Sequence, residues 1–257
     1  MEYQFKNVAL LITHYNRSLS LERLLKAFKN LGCSFEEIVV SDDCSHFEHL
    51  EKLKKLQKEY HFKLVTAEKN SGLGNNINKG QDAVTAKYTL YIQEDFMPSS
   101  LFPSKLEESI QIMENTDFDF IRYFAYYKYP YMKPYQGGFS EMKFNFWYRG
   151  YWKFHFYSDH PHLRRSNFLQ RFGRYVEGIK SDKAEYLMAI SVLQKKPKGL
   201  FYEDFQGLIE QRNDLDSSTI QSERMPWRYS YKNPLLVFVR AIYRYLKFSF
   251  DYLFRNK

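Results

Sequence analysis

Short apolar segments alternate with amphipathic segments through the first hundred residues of the chain. Residues 8–13, 37–41, 62–66 and 88–92 are short runs rich in β-branched and other apolar residues, which is typical of strands buried on both faces of a sheet. Between these runs, hydrophobic residues recur at helical intervals, most clearly at Leu21, Leu24, Leu25 and Phe28. This order predicts βαβ units and hence an α/β fold, with a mostly parallel central sheet and helices on both faces.

The pattern becomes less regular after Pro98, where we place a soft boundary within one domain. The second half predicts helices over residues 101–113 and 182–193 and strands over residues 118–125 and 199–202. The polar cluster from Ser158 to His162, followed by Arg164 and Arg165, is either an acceptor or diphosphate contact or a turn before a surface helix. No internal repeat or low-complexity segment interrupts the chain.

Polar residues follow each of the four predicted N-terminal strands. Ligands of open α/β sheets bind outside the carboxyl ends of the strands, so these polar groups should face one crevice. They are Thr13 to Arg17, Asp42 and Asp43, Asn70 to Gly74, and Gln93 to Asp95. Their convergence predicts a ligand site at this edge of the sheet.

The acids in this crevice are residue types that bind nucleotides and cations. Asp42 or Asp43 can accept a hydrogen bond from a base N–H or a ribose hydroxyl, although paired aspartates are also common in turns and helix caps. Glu94 and Asp95 directly follow the fourth strand, where a carboxylate and substrate phosphates can share Mg²⁺ or Mn²⁺. The segment from Asn70 can bring backbone N–H groups to an anion, but it is not the dinucleotide fingerprint, which needs its glycines after the first strand.

Composition narrows the function classes. The 257 residues carry a formal net charge of +8, which suits nucleic acid, a phosphorylated molecule or an acidic membrane face. The two cysteines cannot form a disulfide framework. Aromatic residues make up 19% of the chain and crowd between Phe118 and Tyr157, where they serve packing or stack on sugars. No signal sequence or long apolar span is visible, so we expect a cytoplasmic protein.

The C-terminal segment has a different character. In residues 231–257, four bases share one helical face and five apolar residues share the opposite face. This arrangement predicts a basic amphipathic helix that lies on an anionic membrane, or else docks on the body or on a second subunit. The bases are Arg240, Arg244, Lys247 and Arg255, and the apolar residues are Leu235, Phe238, Ile242, Leu246 and Leu253.

Taken in order, the crevice segments resemble the motifs of family 2 glycosyltransferases with the GT-A fold. The family's strand-end turn is matched by Thr13 to Arg17, and its Val-Asp-Asp-Gly-Ser motif by Ser41 to Ser45. Its Asn-x-Gly elements fall at Asn70-Ser71-Gly72 and Asn78-Lys79-Gly80, and its Asp-x-Asp motif at Gln93-Glu94-Asp95. The resemblance covers about the first hundred residues.

The resemblance implies a nucleoside-diphosphate-sugar donor, with a UDP-sugar the first choice, and Mn²⁺ or Mg²⁺ as cofactor. Asp42 would contact the base, Asp43 the ribose and Asp95 the metal. Further nucleotide-binding residues would be Thr13, Tyr15, Arg17, Asn70, Gly72, Asn78 and Glu94. Three positions depart from the family pattern: Gln93 replaces an acid of Asp-x-Asp, Ile77 replaces an arginine, and Cys44 replaces a glycine.

Members of this family usually invert the anomeric centre with a carboxylate base late in the chain. Glu185 fits the family spacing best, with Asp182 and Glu177 as alternatives, and Asp182 is also a natural helix N-cap. His160 and His162 are candidate acceptor or diphosphate contacts, because two histidines without a third ligand are weak evidence for a metal.

These expectations define three regions: a nucleotide-sugar-binding half (1–97), an acceptor-binding and catalytic half of the same domain (98–230), and the C-terminal helix (231–257). The predicted function is the transfer of a sugar, with inversion, to a lipid-linked saccharide acceptor. We expect this reaction to serve surface polysaccharide synthesis at the inner face of the cell membrane. A nucleotidyltransferase and a catalytically impaired nucleotide-sugar-binding homologue are the alternatives. Nucleic-acid binding is not expected, because the sequence has no helix-turn-helix, RNP or zinc pattern.

Overall fold

The computed structural model describes residues 2–216 and 234–255. Eleven strands and eight α-helices lie in this part of the chain, together with a 3₁₀ helix at Tyr151–Phe154. The strands are β1 Tyr3–His14, β2 Cys33–Asp42, β3 Lys63–Val65, β4 Tyr88–Gln93, β5 Phe96–Pro98, β6 Phe120–Arg122, β7 Met132–Pro134, β8 Phe139–Met142, β9 His162–Arg165, β10 Gly199–Tyr202 and β11 Ile209–Gln211. The helices are α1 Ser18–Asn30, α2 Phe47–Tyr60, α3 Gly72–Asp82, α4 Phe102–Asn115, α5 Phe168–Phe172, α6 Ser181–Gln194, α7 Phe205–Leu208 and α8 Pro234–Phe254.

Nine strands form the central sheet, in the order β3-β2-β1-β4-β9-β6-β10-β8-β7. The first four strands of this order are parallel, as the alternating sequence pattern predicts, and the sheet becomes mixed beyond β4. Strands β5 and β11 pair antiparallel in a separate two-stranded sheet. The expected α/β architecture with a large central sheet is therefore confirmed.

Helices cover both faces of the sheet, which explains why its central strands are continuously apolar. Successive side chains of a strand point to opposite faces, so Leu10 packs in one core cluster with α1, α2 and α4, and Leu11 in another with α3, α5 and α6. Neither leucine has exposed area. Replacing Leu11 by Ala should cost about 2–5 kcal/mol, because the enclosed site cannot collapse freely.

Helix α3 lies very close to the sheet, and this proximity depends on Gly80. A Cβ added there would lie 2.6 Å from Cδ1 of Leu11 and 2.9 Å from Cβ of Ser41. Only glycine allows this separation without a shift of the helix. The approach brings the first turn of α3 to the carboxyl ends of β1 and β2.

Strand β9 is the main departure from the sequence pattern. A turn before a surface helix was one alternative for this segment, whereas His162–Arg165 is a strand between β4 and β6 in the centre of the sheet. The sequence of β9 is polar although the strand is buried, because other buried side chains accept hydrogen bonds from its arginine. The guanidinium of Arg164 has no exposed area and donates to Gln81 Oε1 at 2.7 Å and to Tyr157 Oη at 3.2 Å.

Helix α8 confirms the presence of a C-terminal helix, but its orientation was not predicted. It packs on α6 and on the 3₁₀ helix with a side that mixes rings and bases: Phe248 and Tyr252 pack against the core, Arg244 donates to Tyr151 Oη, and Lys247 lies 4.1 Å from the ring centroid of Tyr186. The apolar side faces outward, and five of its side chains are 61–70% exposed: Phe238, Tyr243, Leu246, Phe250 and Phe254. Residues 231–233, 256 and 257 of the predicted helix lie outside the described residues.

Candidate active site

The carboxyl ends of β2, β1 and β4 lie side by side and form the base of the site. Thr13 of β1 is in register with Ser41 on one side and with Gln93 on the other. His14 is next along β1 and pairs with Asp42. The polar groups that follow these three strands therefore share one edge of the sheet, as the topology predicts.

Asp42 is completely buried within a network of local hydrogen bonds. Its Oδ1 accepts from His14 Nδ1 at 2.7 Å, and both its oxygens accept from Ser45. Burial opposes ionisation of Asp42, but the hydrogen bonds from His14 and Ser45 hold its pKa below the ordinary value. The Arg17 amide donates to Nε2 of His14 at 3.2 Å, which requires a neutral ring that donates from Nδ1, and burial lowers the pKa of His14 in the same sense.

Asp43 anchors the start of α3. One of its carboxylate oxygens accepts the amide of Ser71 at 2.9 Å, and the other accepts the amide of Gly72 at 2.8 Å. Gly72 has a φ of +83°, a conformation that favours glycine. Cys44, which departs from the family's glycine, also lies in the left-handed region at φ +59°. These contacts place the exposed Asn70 beside the crevice.

Asn78 connects α3 to the segment before α6. Its side chain accepts the amide of Tyr175 at 3.0 Å and donates to Tyr175 O and to Glu177 Oε1. Glu177 also accepts from Asn75 at 2.8 Å, and the two amide hydrogen bonds lower its pKa. Asn78 is thus placed to hold the 175–177 segment in position, and its contact with a nucleotide stays a prediction.

An acidic pair and one arginine lie at the end of β4. Arg17 Nη1 is 3.1 Å from Asp95 Oδ2 and 3.8 Å from Glu94 Oε1, and all three side chains are buried. Asp95 Oδ2 also accepts from Gln211 Nε2 at 2.8 Å. Burial, and then the charge of Asp95, raise the pKa of Glu94 to about 8, while Arg17 opposes this shift.

The acidic pair fits a cation shared with a ligand. The buried Oδ1 of Asp95 has no hydrogen-bond partner, and an unpartnered carboxylate oxygen is a natural acceptor for Mg²⁺ or Mn²⁺. Within residues 2–216 and 234–255, no three His, Cys, Asp or Glu side chains are arranged to hold a metal ion alone. Such a site would therefore be completed by phosphate oxygens, which is usual for these cations.

A second acidic pair, Asp159 and Glu185, lies near the end of β4. Glu185 of α6 lies near Asp159, from the loop before β9, and the two carboxyls influence each other's pKa. Asp159 lies beside β4, because Gln93 Nε2 is 3.5 Å from its carbonyl oxygen. Some of the Glu185 side chain remains exposed, yet its carboxyl is enclosed. Burial, and then the charge of Asp159, raise the pKa of Glu185 well above the ordinary value.

The buried Arg122 supports this second pair. It donates to the carbonyls of His155 and Phe156 and to Ser158 Oγ, and its positive charge favours ionisation of Asp159 and Glu185. None of its hydrogen-bond partners is a carboxylate, and burial lowers its pKa to about 10. An arginine buried without a paired acid contributes a local positive charge to the crevice wall.

The remaining predicted residues occupy different environments. Asp182 is exposed in the first turn of α6, close enough to Asp159 to raise its pKa. His160 lies at the crevice edge, where burial lowers its pKa to about 3, and its ring is edge-on to Tyr126. His162 has no exposed area, and both its ring nitrogens are bonded, to His160 O and Tyr157 Oη.

Two predicted nucleotide contacts flank the strand ends. Thr13 is 2% exposed, and its hydroxyl is 3.1 Å from that of Tyr91. Tyr15 is partly exposed in the turn after β1. These positions leave the roles of both residues as predictions.

Sequence reasoning missed Asp159, Arg122 and His14 as members of the site. Asp159 stands inside the polar segment that drew attention to His160, but nothing in the sequence indicates that it lies near Glu185, 26 positions later. His14 lies within the turn motif, next to Thr13, and pattern alone does not show that it faces Asp42.

The chain belongs to glycosyl transferase family 2, since the family model matches residues 9–173. This membership confirms the resemblance read from the strand-end motifs. A comparison with curated protein sequences gave no match.

Solved structures with the same fold are GT-A glycosyltransferases. S. aureus TarS 1–349 in complex with UDP-GlcNAc is 15% identical with a TM-score of 0.60, over 88% of this chain and 62% of that one. The Pyrobaculum calidifontis mannosyltransferase PcManGT, in complex with GDP-Man and Mn²⁺, is 11% identical with a TM-score of 0.52, over 76% and 54% of the chains. GalNAc-T7 with UDP, GalNAc and Mn²⁺ is 14% identical with a TM-score of 0.56, over 77% and 43%. The chain therefore spans about three fifths of TarS 1–349 and less of the other two.

Proposed function

We propose that this chain is an inverting glycosyltransferase that moves a sugar from a nucleoside-diphosphate sugar to a saccharide acceptor. One observation carries the proposal: Asp42 and Asp95 follow strands that end at the same edge of the sheet, and Glu185 lies near Asp159, whose carbonyl oxygen is 3.5 Å from Gln93 at the end of β4. Family membership and the donors bound by TarS and PcManGT support it. A UDP-sugar is our first choice of donor.

In this proposal the β2 side of the crevice binds the nucleoside and the β4 side binds the diphosphate. Asp43 and the N-terminus of α3 would face the ribose, and Arg17 the phosphates. Mn²⁺ or Mg²⁺, held by Asp95, would offset the negative charge of the diphosphate as it leaves. Glu185 would then accept the proton of the acceptor hydroxyl while that oxygen attacks the anomeric carbon.

Glu185 is a better base than either alternative. The carboxylate of Glu177 accepts from Asn75 and Asn78, and its lowered pKa makes it a weaker proton acceptor. Asp182 is exposed at the start of α6, so its carboxylate is in contact with water and is not enclosed. Of the three candidate bases, Glu185 alone combines an enclosed carboxyl with a raised pKa, the condition in which a carboxylate accepts protons near neutral pH.

Exposed aromatic rings support a saccharide acceptor. Tyr127 is 67% exposed and lies 5.3 Å from Trp152, which is 41% exposed. Tyr126, next to Tyr127, donates to Gln211, and Gln211 donates to Asp95, so the rings adjoin the metal side of the crevice. Rings with apolar faces and polar edges suit the C–H faces and hydroxyls of a sugar.

The outward apolar face of α8 supports an acceptor at a membrane. The helix has 21 residues, about 30 Å at 1.5 Å per residue, and Leu246 and Phe250 lie on its exposed side. No helix among the described residues is long and apolar enough to cross a bilayer. We therefore propose that α8 lies in the interface, with its apolar side in lipid, and that the acceptor is lipid-linked at the cytoplasmic face.

The test is a screen of nucleoside-diphosphate sugars for release of the nucleoside diphosphate, with Mn²⁺ and a panel of free saccharides. We expect at least one donor to be turned over by the wild type and none by Asp95→Asn. Trp152→Ala should keep hydrolysis of the donor by water but lose transfer to saccharide, whereas Trp147→Ala, an exposed tryptophan of the same region, should keep both. Sugar 1-phosphate consumed with a nucleoside triphosphate would instead identify a nucleotidyltransferase.

A further inference from the structure

His160 lies at the end of a series of hydrogen bonds that begins at a buried arginine. Arg122 Nη2 donates to Ser158 Oγ at 2.9 Å, and Ser158 Oγ lies 3.0 Å from Nδ1 of His160. An arginine can only donate, so Ser158 accepts from Arg122 and keeps its own hydroxyl hydrogen for another partner. Within residues 2–216 and 234–255, Ser158 Oγ has no third partner, so this hydrogen is donated to Nδ1 of His160.

This series fixes the tautomer of His160. A ring nitrogen that accepts a hydrogen bond carries no hydrogen, so the neutral imidazole has its N–H at Nε2. Burial, and then the charge of Arg122, lower the pKa of His160 to about 3, which agrees with a neutral ring. Nδ1 is therefore an acceptor inside the protein, and Nε2 is a donor.

The surroundings of the imidazole leave Nε2 open to a ligand. Phe124 and Tyr126 lie edge-on to the ring, at centroid distances of 5.4 and 4.9 Å, and restrict its rotation. Nδ1 faces the buried Ser158, whereas His160 as a whole is partly exposed. In the part of the chain that the structure describes, Nε2 has no hydrogen-bond partner, and it is not sealed from solvent as Oδ1 of Asp95 is.

Two connections place His160 on the Asp95 side of the site. Tyr126, which lies edge-on to the imidazole, donates to Gln211 Oε1 at 2.7 Å, and Gln211 Nε2 donates to Asp95 Oδ2 at 2.8 Å. The ring of Phe96, the residue after Asp95, has its centroid 6.4 Å from that of His160. The donor at Nε2 thus belongs to the same region as the carboxylate oxygen that is left for a cation.

We propose that His160 binds the diphosphate of the nucleotide, with Nε2–H donating to a phosphate oxygen; this inference rests on the proposed function. Hydrogen bonds in series polarise one another, so the charge of Arg122 at one end favours an anionic acceptor at the other. A neutral imidazole also supplies a donor without placing a second positive charge beside a cation at Asp95. Arg122 and Ser158 are positioning residues in this arrangement, because they act through His160.

The test compares two amides at position 160. The amide N–H of glutamine reaches about as far as Nε2, whereas asparagine is one methylene shorter and reaches only as far as Nδ1. His160→Gln should therefore keep the affinity for UDP with Mg²⁺ within a few-fold. His160→Asn should lower this affinity by about 10–100-fold, which corresponds to the loss of a hydrogen bond to a charged group. Isothermal titration measures both, and His61→Asn, which alters an exposed histidine at the end of α2, is the control.

The tautomer is tested without activity by ¹⁵N NMR of the full chain, labelled at its seven histidines. The signals of His160, assigned with His160→Gln, should show the hydrogen on Nε2. They should move when pyrophosphate is added with Mg²⁺, a probe that lacks both nucleoside and sugar. Ser158→Ala removes the hydroxyl that fixes the tautomer, so in this variant the hydrogen should be distributed over both ring nitrogens.

A hydrogen on Nδ1 in the wild type, or equal UDP affinities of His160→Asn and the wild type, would overturn the proposal. An effect of His160→Asn confined to the KM for a saccharide acceptor would also overturn it and assign Nε2–H to that acceptor. If pyrophosphate moves the His160 signals but no donor is turned over, the proposed function fails and the phosphate contact stands. If a donor is turned over while UDP and pyrophosphate leave these signals unmoved, the contact fails and the proposed function stands.

Discussion

Arg17 Nη1 lies 3.1 Å from Asp95 Oδ2, while the other oxygen of the same carboxylate has no hydrogen-bond partner. The arginine comes from the turn after β1 and the aspartate from the end of β4, so adjacent parallel strands bring together residues 78 positions apart. One oxygen of Asp95 is thus held by the protein and the other is left for a cation. This division supports the proposal that Asp95 holds a cation although Gln93 replaces the other acid of the motif.

The first prediction concerns Asp95→Asn. We expect Mn²⁺ to increase the affinity of the wild type for UDP, and Asp95→Asn to reduce this increase by about 100-fold or more. Loss of a residue that only hydrogen bonds to a metal ligand already lowers metal affinity by about 10–100-fold. Isothermal titration with and without Mn²⁺ measures both. Asp117→Asn, which alters an exposed acid paired with Lys198, is the matched control. Equal metal dependence in wild type and Asp95→Asn would show that this carboxylate is not a ligand.

The second prediction separates the candidate bases. Glu185→Gln should lower kcat by about 10²–10⁴-fold, the usual contribution of a positioned base, and leave the KM for the donor within a few-fold. Glu177→Gln and Asp182→Asn should keep kcat within about tenfold, since neither carboxyl is enclosed. Steady-state rates of nucleoside diphosphate release give the comparison. A larger loss in Glu177→Gln than in Glu185→Gln would reverse the assignment.

The third prediction concerns Asp43→Ala. This change removes the acceptors of the Ser71 and Gly72 amides and should destabilise the protein by about 1–2 kcal/mol, the usual cost of losing a helix-capping carboxylate. UDP affinity should fall as well, because α3 would lose its fixed position beside the crevice. Urea denaturation and UDP titration measure the two effects. Asp82→Ala, at the other end of α3 and exposed, should change neither by a comparable amount.

The fourth prediction uses the pH dependence of stability. Burial holds the pKa of His162 well below 6.5 in the folded protein, so the unfolded chain binds a proton that the folded chain does not. The contribution of His162 is therefore present above pH 6.5 and is lost as the pH falls below it, by up to about 1.4 kcal/mol per pH unit. His162→Gln should remove this slope. The difference in unfolding free energy between wild type and variant, measured from pH 7.5 to 5, should thus narrow on acidification, and a constant difference would count against a neutral, buried His162.

The fifth prediction tests the outward face of α8. The double substitution Leu246→Asp with Phe250→Asp places two charges on the proposed lipid face and should abolish binding to vesicles that contain anionic lipid. Phe47→Asp, an exposed aromatic at the start of α2, is the control and should bind as the wild type does. Flotation on a sucrose gradient measures bound protein. If the double variant floats as well as the wild type, the exposed face of α8 does not bind lipid. Its partner would then be another one, such as a second copy of the chain.

The N-terminal half was predictable from sequence because its strands are buried on both faces. A continuous apolar run such as Leu10 to Ile12 has few other stable placements, and the polar residues that follow it then mark the crevice. Boundaries were less accurate: α3 begins at Gly72, inside the polar segment from Asn70 to Gly74 that follows the third predicted strand, because Asp43 accepts the Ser71 and Gly72 amides.

The second half was less predictable because its elements depend on distant partners. Strand β9 carries Arg164. This arginine can be buried because Gln81 and Tyr157 accept hydrogen bonds from its guanidinium. Periodicity identified two faces of α8 but contains no information on which one docks. The docked side carries Phe248 and Tyr252, which pack on the core, together with Arg244 and Lys247 beside Tyr151 and Tyr186. The proximity of Asp159 to Glu185 likewise depends on tertiary structure alone.

The most direct test of the central claim is a crystal structure of the full chain grown with UDP and Mn²⁺. We predict the uracil beside Asp42 and Asp43, the diphosphate beside Arg17, and the ion bound to Oδ1 of Asp95 with the Glu185 carboxyl on the far side of the diphosphate. A nucleotide bound elsewhere, with Asp95 Oδ1 contacting neither ion nor phosphate, would contradict the assignment of this crevice as the donor site.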